Sequence, residues 1–136
     1  MRKTIYNNIK ALRAMPIALR ATNTTVNGDT IDLASSGANY RTVMFVISTG
    51  TVTDGSYAFV VQDSDDGTAW GTAAASLLTG SAPTVVAAND DVIFEVGIQP
   101  VKRYVRVSET STAVTTGATF GAVALLGQPS LVPVTR

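Results

Sequence analysis

Short apolar runs alternate with polar turns along the chain, and no long segment has the spacing of an amphipathic helix. Residues 40–48 form a nearly continuous apolar run, rich in β-branched and aromatic side chains, which predicts a strand buried on both faces. Asp54-Gly55 is a turn signal, and residues 56–62 run back from it. The pattern therefore predicts a β-hairpin over residues 40–62.

The rest of the chain repeats this pattern, with turn signals at intervals of about eight to twelve residues. In the strand predicted at residues 102–107, Val105 and Val107 fall on one face, and Tyr104 and Arg106 on the other. Such a pattern is typical of a β-sandwich, a jelly roll or a small barrel. We predict an all-β fold of about eight short antiparallel strands, in one of these three architectures.

The N-terminal segment has a different pattern and is predicted to form an extended arm. Ile5, Ile9 and Leu12 have the spacing of a short amphipathic helix. Pro16 would end any helix at that point.

The charge distribution supports a division into an arm, residues 1–20, and a single β-sandwich domain, residues 21–136. The net charge of the chain is zero, but five of its ten basic residues precede the first acidic residue, Asp29. These five are Arg2, Lys3, Lys10, Arg13 and Arg20. A basic segment on an acidic body is typical of a segment that docks on another charged surface.

The composition limits the chemistry that the chain can perform. Hydrophobic residues make up 46% of the chain and charged residues 15%, and there is neither cysteine nor histidine. These absences exclude disulfides and thiolate metal sites, and they remove the commonest general base. No apolar run reaches the roughly 18 residues of a membrane span, and Arg13 and Pro16 interrupt the apolar stretch 11–19. We therefore expect a protein that is made and used without secretion.

The acidic turn, residues 63–67, is the feature that most suggests a chemical site. Asp63 and Asp65 begin the D-x-D-x-G spacing of many calcium loops, but the position that should hold the bidentate glutamate is Ala74. Paired-carboxylate hydrolysis would need a second carboxylate, such as Glu95, across a cleft. The simpler interpretation is that the aspartates accept hydrogen bonds from backbone N–H groups within the turn.

Aromatic and basic residues near this turn suggest two further kinds of site. Trp70, with Tyr57 and Tyr104, suits a sugar-stacking platform, although a single tryptophan after a turn also packs readily on its own hairpin. The basic residues of the strand 102–107 suit contact with nucleic acid. The neutral total charge and the neighbouring acidic turn argue against a phosphate-binding face.

Three segments of the chain together resemble a known group of proteins. They are VVQDSDDGTAW at residues 60–70, KRYVRV at residues 102–107 and GAVALLGQP at residues 121–129. In this order they resemble small auxiliary proteins of tailed-bacteriophage heads, the cement or decoration proteins of the outer capsid shell. The resemblance covers residues 40–134 and leaves the N-terminal arm outside.

The resemblance implies a jelly-roll β-sandwich that forms a homo-oligomer, a dimer or a trimer, and binds the major capsid protein. We expect a structural virion protein, made in the host bacterial cytoplasm, that stabilises the outer surface of a phage capsid by bridging neighbouring capsomers. We expect no enzymatic activity, no cofactor or metal, and neither nucleic acid nor a membrane as partner. The alternative is a carbohydrate-binding module that uses Trp70 and the acidic turn.

The residues expected to contact the capsid all lie in the arm, where basic side chains would make polar contacts and apolar ones would be buried. They are Arg2, Lys3, Ile5, Tyr6, Ile9, Lys10, Leu12, Arg13 and Arg20. On this interpretation, removing residues 1–20 weakens capsid attachment and leaves the β-sandwich folded.

Overall fold

In the computed structural model, which describes residues 4–136, the chain forms two antiparallel β-sheets around one core. A four-residue helix, α1 (Ile5–Asn8), precedes the first strand. The strands are β1 (Lys10–Arg20), β2 (Thr25–Asn27), β3 (Ile31–Asp32), β4 (Thr42–Val52), β5 (Ser56–Ser64), β6 (Gly71–Thr72), β7 (Leu78–Thr79), β8 (Thr84–Val85), β9 (Ile93–Ile98), β10 (Tyr104–Thr112) and β11 (Ala118–Gly127). Short 3₁₀ helices lie at Ser35–Gly37, Ala75–Leu77 and Ala87–Asn89.

The strand order is that of a jelly roll. Sheet A has the order β1-β11-β4-β9-β7, and sheet B has the order β2-β10-β5-β6, with β3 also paired to β10 and β8 to β5. When β3, β7 and β8, each of two residues, are set aside, eight strands remain, four in each sheet, and almost every connection crosses between the sheets. One of these eight, β6, also has only two residues. The predicted all-β sandwich of about eight antiparallel strands is confirmed.

The core fills the space between the sheets with alternate side chains of the long strands. Phe45 and Ile47 of β4 are fully buried, and Phe120 of β11 makes edge-to-face contacts with two aromatic rings of sheet B. Its ring centroid lies 5.2 Å from that of Tyr57 and 5.3 Å from that of Phe59. Because these rings come from both sheets, they fix the sheets to each other.

Most of the segment predicted as an arm is instead part of sheet A. The helix ends at Asn8, and β1 then runs for eleven residues and pairs antiparallel with β11. Pro16 lies within this strand, where the register shifts between Met15 and Ala18. A proline is tolerated there because β1 is at the sheet edge and one side of its backbone needs no strand partner. The boundary predicted at residue 20 is therefore corrected, since the sandwich includes residues 10–20.

The predicted hairpin over residues 40–62 is wrong, although both of its strands exist. β4 belongs to sheet A and β5 to sheet B, so the Asp54 turn is a corner between the sheets. The carboxylate of Asp54 accepts hydrogen bonds from the backbone N–H groups of Thr115, Thr116 and Gly117 at 2.8–3.0 Å. These bonds lower the pKa of Asp54 and connect two loops about 60 residues apart in the chain.

Candidate functional site

The outer face of sheet A is unusually apolar for a sheet surface that no other part of the described chain covers. Its apolar members, here called the apolar face, are Ala11, Ile17, Leu19, Met44, Val46, Ile93, Val123 and Leu125. Ile17 is 79% exposed, Ile93 63% and Leu19 62%. An antiparallel sheet with one face in water normally alternates apolar inward and polar outward residues. The apolar face therefore has the character of a contact surface.

Sheet B follows the expected alternation and shows that the fold itself does not require apolar outer positions. Small polar residues fill most of its outward positions. They are Thr25, Asn27, Ser56, Gln62, Thr72, Ser108, Thr110 and Thr112. The two outer faces of the sandwich thus differ sharply in polarity, and the outer face of sheet A is the apolar one.

The local sequence of β1 and β11 explains how this face is built. Small residues such as Ala122 and Ala124 fill the inward positions of β11, while Val123 and Leu125 point outward. Where the register of β1 shifts, Ile17 lies directly over Gly121, and a Cβ atom on that glycine would be only 2.4 Å from Cγ1 of Ile17. The glycine therefore allows β1 to lay an exposed isoleucine across the sheet.

A second apolar cluster, here called the terminal patch, adjoins the apolar face and contains several of the predicted contact residues. It consists of Ile5, Tyr6, Ile9, Leu125 and Arg136. The side chain of Ile5 is 75% exposed and that of Tyr6 71%. The Arg136 guanidinium lies 4.0 Å from the centroid of the Tyr6 ring and donates hydrogen bonds to the carbonyl oxygens of Tyr6 and Ile9.

The C-terminal segment also fixes the terminal patch to the sandwich through the backbone. The N–H group of Val134 donates to the carbonyl oxygen of Asn7 at 2.9 Å, and the Val134 side chain is buried. Helix α1 is thereby held on the body of the protein, so that Ile5 and Tyr6 are presented at a defined position.

The remaining predicted contact residues are dispersed. Leu12 packs against the core, and Arg20 lies 5.6 Å from the Phe120 ring centroid and donates to the carbonyl of Pro16, so neither is a free contact. Arg13 is exposed and forms an ion pair with Asp29 at 2.7 Å. Lys10 is half-buried at the start of β1. Arg2 and Lys3 lie outside the described residues.

In the acidic turn, the carboxylates of Asp66 and Asp63 are engaged with other groups of the protein. Asp66 Oδ1 accepts hydrogen bonds from the N–H groups of Ala69 and Thr68, both at 2.9 Å, and these bonds place the pKa of Asp66 well below its ordinary value. Asp63 is buried and lies 3.4 Å from Lys102 Nζ. Among residues 4–136, no group of three or more acidic side chains is arranged to hold a metal ion. The expectation that the turn aspartates cap backbone groups is confirmed for Asp66.

The side chains suggested for sugar or nucleic-acid binding are engaged with each other. The Arg106 guanidinium lies 4.3 Å from the Trp70 ring centroid, and Arg106 Nε donates to Gln62 Oε1 at 2.7 Å. Arg103 forms a bidentate pair with Asp32 at 2.9 and 3.0 Å, which lowers the pKa of that carboxyl. One face of the indole is thus covered, and these arginine side chains stabilise strand β10 and its neighbours.

Sequence reasoning missed the apolar face, although a signal for it was present. The apolar run at residues 40–48 predicts a strand buried on both faces, and Val43, Phe45 and Ile47 are indeed buried inward. Met44 and Val46, however, are only half-buried, because nothing in residues 4–136 covers that side of sheet A. The apolar residues at these alternate positions therefore indicated burial, but not that the fold leaves their side of the sheet uncovered.

No protein-family model matches the chain, and a comparison with curated proteins finds no match. Among solved structures, the chain is similar to the crystal structure of PBSX exported protein XepA, with a TM-score of 0.65 and 15% sequence identity. The similarity covers 100% of this chain and 43% of that one, so this chain spans less than half the length of that neighbour. Along residues 4–136, no helix is long and apolar enough to cross a membrane. At this level of identity, the likeness to XepA shows a shared fold.

Proposed function

We propose that the chain is a structural protein of a phage particle that binds the outer surface of the capsid and bridges neighbouring capsomers. The similar structure comes from a phage protein, which supports a phage origin. The jelly-roll sandwich supplies a stiff body, and the three segments that resemble decoration proteins lie on β5 to β6, β10 and β11. We also propose that the protein forms a homo-oligomer and lies on the virion, since both are expected of a protein that bridges capsomers.

The terminal patch is the observation that carries this proposal. Ile5, Tyr6 and Ile9 were predicted as capsid contacts, and they lie together at one corner of the sandwich. Two of these three side chains are largely exposed, and Arg136 holds the segment in place. Burying Ile5 and Tyr6 on a partner would contribute about 2 kcal/mol each, and many copies on one shell would add avidity.

We also propose that the chain has no catalytic role. Two of the carboxylates that suggested chemistry are already engaged, Asp66 with backbone N–H groups and Asp63 with a lysine. Contacts of this kind stabilise the turns between strands, which supports an assembly role over an enzymatic one.

The double variant Ile5→Ser/Tyr6→Ser tests the capsid contact. We expect it to fold as the wild type and to bind expanded empty heads of the phage that encodes it at least about tenfold more weakly, measured by cosedimentation. Val101→Ser is the matched control, since Val101 is 72% exposed and lies outside the terminal patch. Wild-type binding by the double variant would refute the role of the terminal patch.

A further inference from the structure

One row of residues across the apolar face carries opposite charges at its two ends. The strand register places Arg13 beside Val123, Val123 beside Val46, and Val46 beside Glu95. Three strand spacings separate the charged residues, a distance of about 14 Å between backbones. Glu95 is exposed, and its side chain makes no hydrogen bond or ion pair with any residue of the range 4–136. The Arg13 side chain, which pairs with Asp29, is 65% exposed.

From this row we infer that a second copy of the chain covers the apolar face, in a two-fold dimer whose axis runs parallel to the strands of sheet A. Rotation by half a turn about such an axis reverses the row and keeps the strand direction. Arg13 of one copy then faces Glu95 of the other, and Val46 faces Val123. Because a two-fold interface repeats each contact, two ion pairs flank an apolar centre.

The charges also oppose the other two-fold arrangement in which the strands of the two sheets stay aligned. An axis along the row would bring Arg13 against its own symmetry mate and Glu95 against its own. Like charges in such positions oppose association. Of the two aligned arrangements, the row is therefore self-complementary in one only.

The size of the face is sufficient for a stable dimer. Four strands spaced about 4.8 Å apart, each contributing about nine residues at about 3.3 Å, give a projected area of about 600 Å². Side-chain relief increases the accessible area, which brings it near the roughly 800 Å² per partner of a standard interface. Two sheets of this kind pack well when their strands are nearly aligned, as they are in this dimer.

The outer edge of β1 is a poorer site for self-association than the face. Pro16 lacks an N–H group, and the register shifts on either side of Met15 bend the strand. An added strand would find an interrupted series of hydrogen-bonding groups there. The second copy therefore packs on the face and not along this edge.

In the proposed capsid role, the direction of the dimer axis determines how the protein attaches to the shell. An axis parallel to the strands leaves both copies with the same end of sheet A pointing the same way. Both terminal patches, each with Ile5 and Tyr6, then lie at one end of the dimer. A dimer would thus attach to the shell through two sites at once, which increases its avidity.

The first test is the mass of the full-length protein in solution, measured by sedimentation equilibrium over a range of concentrations. We expect a dimer for the wild type and a monomer for Val46→Asp and Val123→Asp, which place a charge at the centre of the face. Val60→Asp is the matched control, because Val60 is a half-buried outward residue at the centre of β5 on sheet B. Far-UV circular dichroism establishes that each variant is folded.

The second test exchanges the charges. Arg13→Glu and Glu95→Arg should each weaken dimerisation by about tenfold, since each creates two repulsive pairs, and the double exchange should restore it to within about threefold. Restoration distinguishes a direct pair across the interface from separate structural effects, including loss of the Arg13–Asp29 pair.

Three results would overturn the inference. They are a monomeric wild type at high micromolar concentration, a wild-type mass other than a dimer, and a charge exchange that fails to restore association. Head binding separates this inference from the proposed function. A monomeric wild type whose head binding is lost in Val46→Asp would show that the capsid, and not a second copy, covers the face.

Discussion

Glu109 is buried between the sheets, and we predict that replacing it with glutamine changes how stability depends on pH. The residue lies on β10 opposite Phe59 and is fully buried. Ser111 Oγ donates a hydrogen bond to Glu109 Oε1, whereas Oε2 has no hydrogen-bond partner within residues 4–136. Burial raises the pKa of the Glu109 carboxyl above its ordinary value of 4.5, and the bond from Ser111 and the positive charge of Arg20 offset this only in part.

The sign and size of the effect follow from proton counting. Above pH 4.5 the unfolded chain releases the Glu109 proton while the folded chain keeps it, up to the raised folded pKa. In that window the free energy of unfolding falls by as much as about 1.4 kcal/mol per pH unit, because one proton is bound only in the native state. Above the pKa that Glu109 has in the folded protein, the loss of stability is complete, and this group no longer changes the free energy of unfolding. Glu109→Gln removes this titration and keeps a side chain of the same shape.

The assay is urea unfolding between pH 4.5 and 8, followed by the fluorescence of Trp70, the only tryptophan of the chain. We expect the variant to gain stability relative to the wild type as the pH rises. Asp65→Asn is the control, since it removes a carboxylate from an exposed position in the acidic turn. A constant difference between Glu109→Gln and the wild type over this range would refute the reasoning. It would mean that the positive charge of Arg20 compensates fully for burial.

Three further predictions concern the framework of the sandwich. Gly121→Ala should lower the free energy of unfolding by about 1–3 kcal/mol, because its Cβ would lie 2.9 Å from the Cα of Ile17, and chemical denaturation measures this. Phe120→Ala should cost about 3–5 kcal/mol through the cavity left between the sheets, seen as a lower midpoint in urea. Asp66→Asn should destabilise the protein at neutral pH. The difference in free energy of unfolding between Asp66→Asn and the wild type should shrink as the pH falls below 3.8. Below that pH, Asp66 takes up a proton in the unfolded chain but not in the folded one, so the stabilisation that comes from its lowered pKa is lost.

The strand pattern was predictable because burial in a sandwich follows alternation along each strand. Val105 and Val107 face inward and Arg106 outward, as their spacing predicts. The pairing of strands was less predictable. Asp54-Gly55 has the local sequence of a hairpin turn, yet it forms a corner because the Asp54 carboxylate binds backbone groups of residues 115–117. A contact between residues so far apart in the chain leaves no signal in the turn itself.

The candidate site was predictable only where exposed apolar residues stand out from polar neighbours. Ile5 and Tyr6 met that condition and form the exposed part of the terminal patch. Met44 and Val46 did not, because an apolar residue within an apolar strand indicates burial without showing what buries it. Which side of the sheet remains uncovered depends on the whole fold, and periodicity along one strand cannot determine it.

The place of β1 in sheet A changes what a truncation should show. Deleting residues 1–20 removes a strand that pairs with β11, together with the fully buried side chains of Ala14 and Met15. Burial of a methionine side chain contributes about 2 kcal/mol, and the deletion would also expose the long edge of β11. The protein should therefore unfold or aggregate, and loss of capsid binding by this variant would say nothing about a docking arm.

Deleting residues 1–9 removes Ile5 and Tyr6 of the terminal patch but leaves β1 intact. We expect this shorter truncation to keep the far-UV circular dichroism spectrum of the wild type, to melt cooperatively and to lose binding to empty heads in cosedimentation. Retention of the wild-type melting temperature by the longer truncation would show that β1 is dispensable and that residues 10–20 act as a separate arm. Wild-type head binding by the shorter truncation would instead move the capsid contact away from the terminal patch.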